Sequence, residues 1–310
     1  MINWTVLHDV GVGRYTRTVV MRQWSKRVAH RQIKTTTPFG FEFRIDPRIP
    51  FTFEIWPSKW RMDWGTEVLL AALTDGRDFI DIGANIGYYS AVFAPLSRRV
   101  FAFEPDQKFN ATLRQNISPY SNVELIPMAV SDKEGELCFE TPVNNFESGG
   151  LQGLRNDIPR GTKAFAIEST TLDAFVRAHS VDPGCIKIDT DGSETEVLLG
   201  GRNVLLTKRP VVCTEFGHQV DVQMSVAAVS EVLSEAHYRV FAFVRASRDH
   251  WTPPLLTEVS LSDLSRYWAK MFVLVPEERA GSVEPLLGTN GLRMSWDDIQ
   301  ARLLRRAAVS

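Results

Sequence analysis

DFIDIGANIGYYS, residues 78–90, is the stretch that decides how this chain is read. It begins as a short apolar run of strand type, passes two glycines, Gly83 and Gly87, and continues into a helical pattern. Glycine at a strand-to-helix turn tightens the bend and lets backbone approach a ligand closely. A dinucleotide site needs its second glycine two residues after the first, so that a pyrophosphate is admitted. Here Asn85 holds that position and brings an amide side chain to the turn beside Ala84. Asp81, just before the turn, is placed to meet a cation or an ammonium group. Such a turn suits an amino acid joined to a nucleoside better than it suits a diphosphate.

The neighbouring strands extend this reading. RVFAFEP (99–105) ends on Glu104, 21 residues after Gly83, where an acid accepts hydrogen bonds from a ribose diol. Pro105 and Asp106 open the next helix, with Asp106 a natural N-cap. VELIPMAV (123–130) reads as a third strand and delivers Ala129 to the same C-terminal edge, where open α/β sheets bind ligands.

A second cluster, IKIDTDGSETEVLLGG (186–201), ends a strand in Asp189, Asp191 and Glu194, with Lys187 one step inside. Ser193 and Glu196 have capping-box spacing, which explains Glu196 structurally. Acids gathered at the end of a central strand mark a functional site. Glu215, at the end of PVVCTEF (210–216), falls beside them, and His218 follows.

Strands at 185–191, 210–216, 238–244 and 270–276 alternate with helical patterns, which implies a mostly parallel sheet covered on both faces. LCFET (137–141) and AFAIES (164–169) are extra strand-like pieces around a glycine-rich loop at 148–154. Upstream, seven Lys/Arg and no acid lie between Arg14 and Lys34, with Val20, Trp24 and Val28 at helical spacing. This predicts a basic amphipathic helix, lying on an anionic membrane surface or packed by its stripe on the main domain. Phe39, Phe41, Phe43 and Ile45, then Phe51, Phe53 and Ile55, predict a β-hairpin around the prolines at 47 and 50. The expected division is 1–64 (basic segment and aromatic hairpin), 65–280 (main α/β domain) and 281–310 (helical tail).

Composition sets the outer limits. The 310 residues are 44% hydrophobic and 23% charged, enough to bury a core without disulfides or structural metal. A net charge of −2 argues against a general nucleic-acid binder. Cys138, Cys185 and Cys213 sit in apolar strand-like runs and read as small buried hydrophobes in a reducing compartment. No run approaches the ~20 apolar residues of a membrane span, and no signal-peptide pattern opens the chain. A cytoplasmic location is expected, with peripheral contact at the inner face of a membrane through residues 14–34 as the further option.

The blocks DIGANIGYYS, FAFEPD, LIPMAVSD, STTLDAF, IKIDTDGSE and VVCTEF, in this order from about Asp78 to Phe216, resemble the FkbM-type family of S-adenosylmethionine-dependent methyltransferases. The resemblance implies a Rossmann-like seven-stranded sheet, mostly parallel with the last strand antiparallel. It implies methyl transfer to a hydroxyl oxygen of a sugar, a glycolipid or other glycoconjugate, or a macrolide polyketide. Asp81, Gly83, Asn85 and Gly87 correspond to the methionine-side turn, Glu104 to the ribose-binding acid, and Asp189 and Glu215 to the acids ending the fourth and fifth strands. Asp191 departs from the family, which often has Glu there. A hydroxyl acceptor needs a base or a metal. Asp189, Glu215 and His218 are the candidate bases, and Asp189 with Glu215 the candidate ligands of Mg²⁺; the sequence leaves both routes open. An N-methyltransferase lacks its usual [DNS]PP[YFW] block here, and an NAD oxidoreductase lacks its GxG spacing. A non-catalytic module does not account for Asp81, Glu104, Asp189 and Glu215 together.

Overall fold

The computed structural model describes residues 7, 11–24, 32–37, 39–46, 63, 65–142, 149–154, 161–216, 222–245, 253–260 and 268–291. Helix α1 (Val12–Trp24) precedes strands β1 (Ile33–Thr36) and β2 (Glu42–Ile45). Then come α2 (Thr66–Leu73), β3 (Asp78–Ile82), α3 (Tyr88–Phe93), β4 (Val100–Phe103), α4 (Gln107–Ile117) and β5 (Val123–Ile126). A smaller sheet is built from β6 (Ala129–Ser131), β7 (Gly135–Pro142), β8 (Gly150–Leu151) and β9 (Thr162–Thr171). The chain returns through α5 (Leu172–Ala178), β10 (Pro183–Ile188), α6 (Glu194–Gly200), α7 (Arg202–Thr207) and β11 (Val211–Thr214). It continues with α8 (Val222–Glu235), β12 (Tyr238–Val244), β13 (Leu255–Glu258), β14 (Phe272–Pro276) and α9 (Glu277–Ala280).

The main sheet runs β13-β12-β14-β11-β10-β3-β4-β5. Its β11-β10-β3-β4-β5 half is parallel, and β14 is antiparallel to both β11 and β12. Every residue of the parallel strands β3, β4, β10 and β11 is buried, as cover on both faces requires, and so is every residue of antiparallel β14. The two faces feed separate cores: Phe79 and Cys185 join one, Ile80, Ile82, Ile186 and Ile188 the other. Alternation therefore puts Asp81 and Lys187 on the Phe79 face. They are register partners across β3 and β10.

Several expectations need correction. Among the described residues the sheet has eight strands rather than the expected seven, because β13 adds an antiparallel edge to β12. VELIPMAV is not one strand: it breaks at Pro127, β5 stays in the main sheet, and β6 leaves to pair with β9. The break follows from proline, which offers no N–H to a sheet ladder. The aromatic strand β2 pairs backward with β1 (Ile33↔Ile45, Thr36↔Glu42), around a turn at 37–41 that was not expected. Its expected partner at 51–55 lies outside the described residues, as does the tail helix.

The basic helix ends at Trp24, and Lys34 belongs to β1, ion-paired to Glu42 at 2.7 Å. Buried Tyr15 and half-buried Val19 turn toward the core, leaving Val20 and Trp24 61% and 58% exposed. The Val20/Trp24 stripe is thus not the face that packs. Cys138 is exposed, while Cys185 and Cys213 are buried as expected. The reason is its position on β7, a strand of the small sheet with much of its length open to solvent. No described helix is long and apolar enough to cross a membrane.

Candidate active site

The turn after β3 is held from three sides. Gly83, Asn85 and Gly87 have φ of 76°, 53° and 82°, the left-handed region that glycine enters freely and asparagine tolerates. A Cβ on Gly83 would stand 1.9 Å from the Asp189 carbonyl oxygen, and one on Gly87 2.5 Å from Leu113 Cδ1. The backbone contact restricts Gly83 to glycine, whereas at Gly87 the left-handed φ favours glycine and the Leu113 tip can shift. The Gly83 and Ala84 amides donate to the Phe103 carbonyl at 3.0 and 2.9 Å. From the other side, Lys187 Nζ donates to the Gly83 carbonyl at 2.7 Å.

Asp81 accepts from Ser90 Oγ at 2.6 Å and lies 3.5 Å from Lys187 Nζ. The cation it meets is thus the chain's own lysine, beneath the turn, and Asp81 lines neither cavity described below. Lys187 is also 3.5 Å from Asp189 and 5.6 Å from the Tyr89 ring centre. The two carboxylates outweigh burial and push the lysine further toward its charged form.

Glu104 sits at the end of β4, 5% exposed. Its carboxylate accepts from the Asn85 amide at 2.7 Å and the Asp106 amide at 2.8 Å. Burial dominates over these two bonds and raises its pKa to about 8. Asp106 caps α4 as expected, accepting from the Lys108 amide at 3.1 Å, and ties the helix to β7 through Thr141 Oγ1 at 2.6 Å. It too stands behind the cavity wall.

The β10–α6 turn differs from the capping-box expectation. Ser193 makes no side-chain cap; Glu194 instead accepts from the Thr190 amide at 2.8 Å and the Gly192 amide at 3.1 Å. With φ of 55° at Asp191 and 127° at Gly192, the loop folds back on itself, and the buried Glu194 satisfies its donors.

Two adjoining cavities open along this edge. Glu104, Pro105 and Ala129 line the first, walled by Phe103, Met128 and, from the small sheet, Phe139 and Leu151. The second, of about 290 Å³, is lined by Asp63, Tyr89, Lys187, Glu215 and Lys270 among others. Gly83, Asn85, Asp189 and Asp191 line both. The turn and the β10 acids form the partition, where a group passing from one cavity to the other must lie.

The structure thus brings Gly83, Asn85, Glu104, Pro105, Ala129, Lys187, Asp189 and Glu215 to one edge, with Ala84 in the second cavity. His218 lies outside the described residues. Among those described, no group of three or more His, Cys, Asp or Glu is placed to hold a metal. The Asp189 carboxylate instead faces the Lys187 ammonium, so the donor set does not fit Mg²⁺. Sequence reasoning missed Asp63, Tyr89, Lys270 and Phe139. Asp63 stands in an aromatic connection without periodicity, and Tyr89 and Phe139 read as ordinary core.

A mixed α/β sheet with glycine turn and acid-tipped strands is a methyltransferase-like fold. The family model described as the methyltransferase FkbM domain matches residues 81–240, and the chain belongs to that family and is a methyltransferase. It is 26% identical over 170 residues to the 2-O-methyltransferase NoeI of Sinorhizobium fredii, covering 50% of this chain and 70% of that protein. It is 28% identical over 160 residues to the hexuronic acid methyltransferase AglP of Haloferax volcanii, covering 50% of this chain and 61% of that one. The crystal structure of an FkbM methyltransferase from Methylobacillus flagellatus aligns with a TM-score of 0.42 at 17% identity, over 64% of this chain and 44% of that chain.

Proposed function

We propose that this chain is an S-adenosylmethionine-dependent O-methyltransferase acting on a hydroxyl of a sugar or glycoconjugate. The observation that carries this reading is buried Glu104, which lines the first cavity beside Gly83 and Asn85, residues that also line the second. The residues fit the cofactor. Glu104 has lone pairs left for a ribose diol after accepting two backbone amides. Phe103, Met128 and Phe139 offer a purine an apolar slot. The glycine turn exposes backbone to the amino-acid end. Sugar acceptors are favoured by NoeI and AglP, whose names specify 2-O and hexuronic acid methylation.

S-adenosylmethionine supplies a methyl group already activated by its sulfonium charge. The chain's tasks are then to align an acceptor oxygen with that carbon and to take the hydroxyl proton. Alignment alone contributes on the order of 7–11 kcal/mol when the geometry is near attack. The partition residues Gly83, Asn85, Asp189 and Asp191 fix where the two ligands meet. Lys187 holds the partition by bonding the Gly83 carbonyl and lying against Asp189.

The test is direct. S-adenosylhomocysteine should bind and raise the melting temperature, by about 2.7 kcal/mol of stability at a hundredfold excess over Kd. Incubation of S-adenosylmethionine with methyl glycosides of hexoses, deoxyhexoses and hexuronic acids should release S-adenosylhomocysteine. Failure to bind it, alongside binding of NAD, would overturn the assignment.

The exposed Val20 and Trp24 on a basic stretch support a second part of the reading, peripheral contact with an anionic lipid surface. Flotation with anionic vesicles at low salt should carry the protein upward, and added salt should reverse it. Absence of binding at low salt removes the membrane from the account.

A further inference from the structure

Asp63 lies outside the matched residues 81–240, yet it lines the second cavity with Asp189, Glu215 and Lys270. Its carboxylate Oδ2 accepts from the Tyr89 hydroxyl at 2.6 Å. Tyr89 is buried and cannot wander: its ring is parallel to Phe93 at 6.2 Å and edge-on to Tyr88 at 5.9 Å. The phenol therefore fixes the Asp63 carboxylate in the wall of the second cavity.

Resting on the methyltransferase reading above, we propose that Asp63 takes the proton of the acceptor hydroxyl, with Tyr89 as its positioning residue. The other acid at the partition, Asp189, is already engaged in an ion pair with Lys187 at 3.5 Å. Asp63 is held instead by the Tyr89 phenol in the wall of the second cavity. Burial raises its proton affinity above the ordinary carboxylate range, against Lys270 and the Tyr89 hydrogen bond, which lower it. The other groups facing this pair are Lys187 and Asp189 from β10, Cys213 from β11 and Glu67 from α2.

The step balances. The acceptor O–H bond breaks and its proton goes to Asp63. The oxygen's electron pair forms the new O–CH₃ bond as the methyl carbon leaves sulfur. The C–S bonding pair stays on sulfur, giving the neutral thioether S-adenosylhomocysteine. The sulfonium and Asp63 carboxylate charges are neutralised together.

The experiment uses the full chain with saturating S-adenosylmethionine and the methyl glycosides named above, following S-adenosylhomocysteine release between pH 5.5 and 9. Asp63→Asn should lower kcat by about 10²–10⁴-fold, the usual worth of a positioned base. Its affinity for S-adenosylhomocysteine should stay within about twofold of wild type, because Asp63 does not line the first cavity. Asp63→Glu should recover part of the rate. Tyr89→Phe keeps the ring but removes the donor that favours ionised Asp63, so the acidic limb of kcat should move to higher pH. A purely packing role for Tyr89 would leave that limb in place. Near-wild-type kcat in Asp63→Asn, or an unmoved limb in Tyr89→Phe, overturns the assignment of Asp63 alone. A wild type that binds the cofactor but methylates none of the glycosides overturns the sugar reading and this assignment with it.

Discussion

Lys187 Nζ donates to the Gly83 carbonyl at 2.7 Å, so the central strand β10 clasps the loop that follows its neighbour β3. The lysine and Asp81 are both buried, 4% and 0% exposed at their side chains, and 3.5 Å apart. Removing one member of a buried pair leaves the other charge uncompensated, at about 3–5 kcal/mol. Lys187→Met should therefore lower the melting temperature and abolish S-adenosylhomocysteine binding together. Lys187→Met/Asp81→Leu should recover stability without recovering binding, because the clasp on Gly83 stays lost. Thermal melts with calorimetry check both, and restored binding in the double variant would refute the clasp.

Glu104 makes cofactor binding depend on pH. Its pKa is raised by burial to about 8 from an ordinary 4.5. A raised carboxylate pKa means the folded protein holds its proton more tightly than the unfolded chain. Its contribution to stability is complete below pH 4.5, where both states are protonated, and is lost as pH rises toward 8. Donors from a ribose diol favour the ionised form, so binding should expel a proton at neutral pH and tighten from pH 6 to 9. Calorimetry in buffers of different ionisation enthalpy reads that proton. Glu104→Gln should release none and flatten the pH dependence; an unchanged proton count would place the proton elsewhere.

The main sheet and first cavity were legible in the sequence because their signals are local. DFIDIG and IKID are apolar strand runs ending in acids, and the positive-φ glycines stand where a ligand must approach. The second cavity was less legible because it joins residues far apart in sequence. Asp63 and Tyr89 are 26 positions apart and meet only when α2 and α3 pack on one face of the sheet. The pairing of β2 with β1 was not legible for a related reason. Alternation marks β2 as a strand but says nothing about which neighbour it pairs with.

Gly83 and Gly76 separate backbone strain from close approach. Both have positive φ, 76° and 82°. A Cβ on Gly76 meets nothing within 4 Å, whereas one on Gly83 falls 1.9 Å from the Asp189 carbonyl. Gly76→Ala should cost only the left-handed penalty, about 1–2 kcal/mol, with full cofactor affinity. Gly83→Ala should cost more and abolish S-adenosylhomocysteine binding, since β3 and β10 must part at the site. Equal melting temperatures for the two variants would mean the contact at Asp189 relaxes freely.

The small sheet, legible in the sequence only as extra strand-like pieces, contributes a wall of the first cavity. Phe139 of β7 and Leu151 of β8 line the first cavity beside Phe103 and Met128. Gly149 keeps that wall close: a Cβ there would lie 2.4 Å from Phe139 Cε1 and 2.6 Å from the Glu140 carbonyl. Gly149→Ala should therefore displace the Phe139 ring without left-handed backbone strain, since Gly149 does not have positive φ. If the ring stacks on the purine, Phe139→Ala should weaken binding by about 1–3 kcal/mol, the usual worth of an aromatic ring on a base. Gly149→Ala should follow in the same direction. Adenosine and S-adenosylhomocysteine share the purine, so both ligands should weaken by the same factor in each variant. Calorimetry well below the melting temperature of each variant keeps lost stability out of the comparison. Weakening confined to S-adenosylhomocysteine would move Phe139 to the amino-acid end and dismiss the purine wall.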